Sequence, residues 1–305
     1  MSLKMEDARR ITLEDGYNFI GPLPGAENVL TNFNTNVRRD FPYKILSDCV
    51  YDGFLYLCVT DHLAGPGTMN LGVVKVDAEL NYEVIRRYGG WNEAERGDKT
   101  VEVPFMKEDG TVATGQPDGY DSEDEYEEGC QFYLSELVFC VGDDEKPFFA
   151  VIDSNDEKRL FVGEPDYFVE ICEISNDLTP IMMQYVGGMV YALFRTRYYT
   201  KVGVFGSLEG RNVLELIESG LNFIETMVVD EGQRIYVTAE DVHDIRGVVG
   251  TFTAEDPTVV WNEETRNVRH FIPSGNYIVY SGNIAGDFFD GSIFALPSGM
   301  TKAAR

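Results

Sequence analysis

Three groups of side chains in this sequence are of the types that do chemistry. The densest is the acidic run Asp118, Asp121, Glu123, Asp124, Glu125, Glu127 and Glu128, whose carboxylate oxygens suit a hard cation such as calcium. It lacks the spacing and the glycine of an EF-hand loop. Like charges at this density repel one another, so the run reads as a solvated loop or as a site for a basic partner surface. The histidines are His62, His243 and His270, with Asp61 and Asp241 beside the first two. A metal or general-base pair there requires two loops to meet, and lone surface histidines fit the same sequence. Asp48, Asp52, Glu136, Asp230 and Glu231 lie at or beside expected strand turns. Two or three carboxylates converging on a pocket, one with a raised pKa, would serve glycoside hydrolysis. In turns, however, acidic residues ordinarily serve the backbone or the solvent.

The remaining motifs are silent. No GxSxG, GxxxxGK[ST], HExxH or Rossmann glycine pattern is present, which removes the enzyme classes that depend on them. The cysteines Cys49, Cys58, Cys130, Cys140 and Cys172 form no CxxC pair, so buried free thiols are expected and a structural zinc is not. Tyr198, Tyr199, Trp261, Phe288 and Phe289 fall near loops, where aromatic rings grip a sugar or a protein, or simply pack. Accordingly no catalytic, cofactor-binding or metal-binding residue is assigned, and no cofactor is expected.

Charge narrows the partners. The 305 residues carry 52 acidic against 25 basic side chains, a formal net charge of -27. Such a surface repels phosphate backbones, so nucleic-acid binding is not expected, although DNA could pass along an acidic lining without sticking. With 44% hydrophobic and 12% aromatic residues the chain can build a sizeable core. No apolar window is long enough to span a membrane. The first residues, MSLKMEDARR, have no apolar run of the secretory type behind them, so synthesis in the cytoplasm is the expectation.

The elements that must position these groups are strands. CVYDGFLYLCV, residues 49 to 59, reads strand, tight turn, strand, because Asp52-Gly53 tolerates positive φ and the flanks are aromatic and β-branched. With Ile45 to Val50 first, then LGVVKVD and YEVIRRYGG, it predicts a four-stranded antiparallel meander. A second copy is expected at QFYLSELVFCV, with Ser135-Glu136 as its turn, followed by PFFAVIDSND and KRLFVGE. The third runs MMQYVGGMVYALF, TKVGVFGSLEG, NVLELIESG. The fourth runs ETMVVDEGQRIYVT, GVVGTFTAED, TVVWNEE. The fifth runs VRHFIPSGNYIVYS, GSIFALPSG. The strand candidates Ile11 to Leu13, Val29 to Val37 and Phe41 to Leu46 show no hairpin partner of their own.

Gly188, Gly232 and Gly275 stand 44 and 43 residues apart, a spacing within the range of propeller repeats. Over residues 44 to 299 the strand pattern resembles a β-propeller, without the Trp-Asp signature of WD repeats. The resemblance implies an all-β fold, a single propeller domain over residues 1–305. Five blades are expected, six being the alternative, with residues near 11 to 37 closing the ring beside the fifth copy. Residues 91–130 break the period and are expected to be an acidic insertion or an irregular blade. A large β-sandwich competes, but does not explain a three-strand phrase at near-constant spacing.

Two functional classes follow. The first is a non-enzymatic structural or docking subunit of a larger homo-oligomeric or mixed assembly; in fold and charge the chain looks like a phage tail or nozzle-type component of a virion, with an acidic surface or DNA channel. The alternative is a propeller glycoside hydrolase or carbohydrate-binding protein that uses a central pocket. The expected partners are protein subunits, with no membrane and no sequence-specific nucleic acid.

Overall fold

The computed structural model describes residues 9–10, 20–23, 28–32, 35–61, 70–88, 90–93, 99–106, 110–113, 130–133, 137–152, 156–197, 200–208, 211–217, 224–230, 232–239, 248–262, 265–274, 277–284 and 293–297. Among these, regular structure is strand apart from a short 3-10 turn at Asp143–Glu145. In chain order the strands are β1 (Arg9–Arg10), β2 (Ile20–Pro22), β3 (Val29–Asn32), β4 (Val37–Asp40), β5 (Lys44–Tyr51), β6 (Phe54–Asp61), β7 (Asn70–Val76) and β8 (Tyr82–Tyr88). There follow β9 (Gly90–Glu93), β10 (Lys99–Val103), β11 (Phe105–Met106), β12 (Val112–Ala113), β13 (Cys130–Tyr133), β14 (Val138–Val141), β15 (Pro147–Ile152), β16 (Lys158–Gly163) and β17 (Phe168–Ile174). The last are β18 (Thr179–Val186), β19 (Met189–Arg195), β20 (Thr200–Leu208), β21 (Arg211–Ile217), β22 (Ile224–Val229), β23 (Arg234–Ala239), β24 (Val248–Thr253), β25 (Val260–Asn262), β26 (Thr265–Ser274), β27 (Tyr277–Ile284) and β28 (Ile293–Pro297).

The chain divides into two compact units, one of residues Asn18–Asn176 and one of Met1–Tyr17 with Asp177–Arg305. In the first, β5-β6-β7-β8 is the expected four-stranded meander. The four residues Tyr51 to Phe54 close its first hairpin, with φ of 47° at Asp52 and 79° at Gly53, the left-handed pair that a two-residue hairpin turn of the right twist demands. The run Leu55 to Val59 is buried throughout, and the reason is two-sided. Tyr56 and Cys58, with Leu71 and Val73, face Phe139, Val141, Phe149, Phe161 and Phe168. Leu55, Leu57 and Val59, with Val74 and Val76, face Leu30, Phe41 and Leu80. Successive residues of a strand point to opposite faces, so a sheet covered on both sides needs an unbroken apolar strand.

One cover is the sheet β14-β15-β16-β17, which β11 and β12 extend to six strands through a parallel pairing of β11 with β17. Between the two sheets the rings of Phe149 and Phe168 stack at 4.6 Å, and Tyr88 meets Phe168 edge-on at 4.8 Å. The other cover is a three-stranded sheet β2-β3-β4. Here Phe41 meets Tyr43 and Tyr82, each edge-on at 5.2 Å.

Two expectations change in this unit. Strands Val29–Asn32 and Val37–Asp40 pair with each other and with Ile20–Pro22, so these early strands do have partners of their own. The second copy does not begin as a hairpin at Ser135-Glu136. Those two residues lie outside the described set, and the strands flanking them belong to different sheets, β13 pairing with β10 and β14 with β15. The turn lies one strand later, at Gly142–Lys146, where Asp144 and Glu145 take φ of 58° and 55°. Aspartate tolerates the left-handed region better than most residues with a Cβ, and Ser-Glu is a poor pair for it. The period-breaking segment also contributes strands: β9, β10 and β13 form their own three-stranded sheet, and Val103 enters the core.

The second unit holds three sheets, β18-β19-β20-β21, β22-β23-β24-β25, and β26-β27-β28 with β1 as fourth strand. Gly187 and Gly188, at φ of 59° and 83°, repeat the two-residue turn of Asp52-Gly53. Gly275 lies outside the described residues, but Ser274 pairs with Tyr277 across the same two-residue gap. Asn212 to Ile217 is strand, as its place after a turn implies. The fourth strand of the last sheet comes from the N-terminus, Arg9 opposite Ala295 and Arg10 opposite Phe294. Residues 9–10 thus flank the fifth copy, while residues 11–19 lie outside the described residues and β2, β3 and β4 form a sheet of their own. Tyr191, Leu193, Val202 and Val204 pack against Met227, Val229, Ile235, Val237 and Phe252, the same face-to-face arrangement of consecutive repeats.

Candidate functional site

The polar chemistry of the described residues gathers where the first strand of one sheet meets the first strand of the next. In an edge strand, alternate backbone N–H groups point away from the ladder and need partners. On β14, the Phe139 amide donates to the Ser47 Oγ at 3.4 Å and the Val141 amide to the Cys49 sulfur. On β22, the Met227 amide donates to the Met182 sulfur at 3.1 Å. The Val229 amide donates to the Gln184 Oε1 at 2.8 Å, and Gln184 Nε2 returns a bond to the Val229 carbonyl at 2.8 Å. The correspondence is positional: the side chains two and four residues before the end of β5 and of β18 latch the strand of the following sheet. Each unit therefore contains the same latch.

Beyond the latch lie the turns. In the first unit the turn Gly142–Lys146 brings Asp143 and Glu145 against the preceding sheet. The Tyr51 hydroxyl donates to Asp143 Oδ1 at 2.5 Å, and the Tyr56 hydroxyl reaches Glu145 Oε1 at 3.4 Å. Lys75 pairs with the same Glu145 oxygen at 2.5 Å, with its ammonium 3.9 Å from the centre of the Phe54 ring. Burial, then the Glu145 charge, raises the Tyr56 phenol above its usual range. In the second unit the buried Asp230 accepts from the Arg234 amide at 3.0 Å and from the Tyr236 hydroxyl at 3.0 Å. Burial, then the carboxylate, likewise raises Tyr236 and Tyr191. Phenols held this way stay protonated donors at neutral pH and are not bases.

The residues singled out from sequence are placed as follows. Asp230 is a turn-closing carboxylate: its own amide bonds the Arg234 carbonyl at 3.0 Å, just as the Asp77 amide bonds Asn81 at 2.9 Å. Asp52 is an exposed turn residue. Asp48, on β5 between the two latch residues, is solvent-accessible, yet the surrounding protein raises its carboxyl by desolvation. No hydrogen bond or ion pair holds it among the described residues. Glu136, Glu231, His62, His243, Asp241, Tyr198, Tyr199, Phe288, Phe289 and the acidic run Asp118 to Glu128 lie outside the described residues. Of Asp61, His270 and Trp261 only the backbone is described, in β6, β26 and β25. Among the described residues no group of three histidine, cysteine or acidic side chains could hold a metal.

Cys49, Cys58 and Cys140 are free thiols whose pKa burial raises far above normal, and Cys172 is raised to about 11, by burial and then by Glu170 and Glu173. They are poor nucleophiles. Sequence reasoning missed Ser47, Met182 and Gln184 as latch residues and Asp143, Glu145 and Lys75 as their neighbours. The available signal was position, at fixed distance before the two-residue turns.

No family model matches the chain, and no curated protein sequence matches it. Among solved structures it is similar to a candidate 6-phosphogluconolactonase from Bacteroides uniformis, at 16% identity over 85% of this chain and 86% of that one, with a TM-score of 0.42. An oligogalacturonate lyase in complex with manganese matches at 12% identity over 95% and 88%, with a TM-score of 0.41. The Dos1 propeller matches at 11% identity over 96% and 89%, with a TM-score of 0.38. None of these likenesses carries an activity to this chain.

Proposed function

We propose that the chain is a non-enzymatic structural or docking subunit of a larger assembly, built as a β-propeller. The five repeat sheets are blades and β1 on β28 ties the ends of the chain together. The observation that carries this reading is the latch. Ser47 and Cys49 on β5 and Met182 and Gln184 on β18, strands that would line a propeller's axis, are turned to the neighbouring sheet, where they satisfy its edge, while Asp48 between the first two reaches solvent. Phenols and thiols near them are held protonated. Such sheets make a stiff body with broad outer surfaces. The net charge of -27 suits a body that docks basic protein surfaces and lets DNA pass without binding, as a virion tail component would.

The test is the mass of the native particle, measured by light scattering and imaging on protein isolated from its source. Copies in an assembly of defined symmetry are expected. A monomer of 34.3 kDa at every working concentration overturns the reading.

A further inference from the structure

We propose that the open edge of β4 pairs with the same edge of a second copy of this chain, antiparallel and two-fold symmetric, with Arg38 of each copy opposite Asp40 of the other. The sheet β2-β3-β4 holds three strands, and among the described residues no strand pairs with the outer side of β4. Its four residues, Val37, Arg38, Arg39 and Asp40, are all exposed. The ladder decides which of them face outward. Asp40 stands opposite Val29 and Arg38 opposite Thr31, and one position further on the Phe41 amide donates to the Asn28 carbonyl at 2.7 Å. Bonded and non-bonded positions alternate along an antiparallel pair. Val37 and Arg39 therefore bond to β3, while the amides and carbonyls of Arg38 and Asp40 point to the open edge.

Charge fits this edge to itself. Arg38 and Asp40 lie two residues apart, so their side chains stand on one face of the sheet, and neither has an ion-pair partner among the described residues. An isologous contact places the same patch on both copies. With Arg38 bonded across to the copy's Asp40, ladder bonds and two cross-strand ion pairs form together. Other registers lose them. Centring the pair on Arg38 sets arginine opposite arginine, and centring it on Asp40 sets aspartate opposite aspartate and brings Arg38 against Pro42, which has no N–H to give. The favoured register also lays Val37, 53% exposed, across from the copy's Phe41, an aliphatic and aromatic pair that packs well. It sets Arg39 opposite Arg39, but each guanidinium is drawn back to its own chain. There it donates to the Leu80 carbonyl at 2.8 Å and to Asn81 Oδ1 at 3.2 Å, and lies 5.2 Å from the centre of the Tyr82 ring. A ladder this short makes a weak contact, of the kind that counts when several copies are held together.

Sedimentation equilibrium of the purified full chain measures self-association, and amide exchange in dilute and concentrated protein locates it. Slower exchange at the Arg38 and Asp40 amides in concentrated protein is expected, with Val37 and Arg39 little changed. Arg38→Asp sets aspartate opposite aspartate twice, and Asp40→Arg sets arginine opposite arginine twice; each should weaken association by about tenfold. An equal mixture of the two variants should restore it, because the aspartates of one then face the arginines of the other. The double exchange, Arg38→Asp with Asp40→Arg, should restore it too. Monomer at every concentration reached, association that both single variants leave intact, or a mixture no better than its parts overturns the proposal. Pairing through this edge rests on the docking-subunit reading, and the two fail separately. A native particle of defined symmetry that forms equally well from Arg38→Asp removes this edge alone, and pairing through this edge by a chain that is monomeric in its source removes the assembly.

Discussion

Substituting Gly163 by alanine tests the packing between sheets directly. Gly163 ends β16, and a Cβ built on it would lie 2.5 Å from the Tyr88 hydroxyl oxygen, 2.9 Å from Pro147 Cγ and 3.0 Å from Tyr88 Cζ. Carbon and oxygen approach to about 3.3 Å even in favourable contacts, so the tyrosine would have to retreat by several tenths of an ångström. It has little room to do so, since Phe149 and Phe168 stand edge-on to its ring at 5.9 and 4.8 Å. Overpacking of this kind costs about 1–3 kcal/mol. The Tyr88 hydroxyl is itself buried without a hydrogen-bond partner among the described residues, so Tyr88→Phe should leave stability unchanged or raise it by up to about 1 kcal/mol. In the double variant the oxygen that clashes is gone while Pro147 remains, so Gly163→Ala should cost less there, with a coupling of at least about 0.5 kcal/mol. Urea unfolding followed by circular dichroism measures all four corners of the cycle. Additivity within about 0.3 kcal/mol, or no loss in Gly163→Ala, refutes the reasoning.

Gln184→Leu removes both bonds to Val229 and should destabilise by about 1–3 kcal/mol for a stranded backbone group, with faster hydrogen exchange at the Val229 amide; unchanged exchange there would remove the latch from the account. With Cys172 raised to about 11, about one thiol in a thousand is ionised at pH 8. Cys49, Cys58, Cys140 and Cys172 should resist a thiolate-specific reagent in the native protein and react in denaturant, and rapid native modification of Cys172 would contradict the structure. Desolvation works upward on the Asp77 carboxyl but is outweighed by the Asn81 side-chain amide, the Asn81 and Glu79 backbone amides and Arg39, so its pKa falls below the ordinary value. A depressed carboxylate contributes stability above its unfolded pKa, near 3.9, and loses it as pH falls through the lower folded value; Asp77→Asn should therefore flatten the acid limb of the stability profile, and an unchanged limb would count against the turn geometry. The Lys75–Glu145 pair is partly exposed, and a double-mutant cycle of Lys75→Met and Glu145→Gln should give a coupling of about 0.2–1 kcal/mol that shrinks in 1 M salt; a coupling insensitive to salt would mean that packing on Phe54 dominates.

Local physics determined much of this protein from sequence alone. Asp52-Gly53 and Gly187-Gly188 are turns because both central residues must take positive φ, and few residue pairs do so cheaply. The unbroken apolar run Leu55 to Val59 already required a sheet covered on both faces, and both covers exist. Pattern alone did not decide which strands pair. QFYLSELVFCV alternates as well as any hairpin here, yet its halves join different sheets, because pairing is settled by the turn that can form and by the partner available in space. Likewise the two strands Val29–Asn32 and Val37–Asp40 look solitary until Ile20–Pro22 completes their sheet. The polar residues were least legible of all. Ser47 and Gln184 accept through oxygen and Cys49 and Met182 through sulfur, and what all four share is a position that faces the next sheet's unpaired amides. That role belongs to the space between sheets, so it exists only once the chain has stacked them.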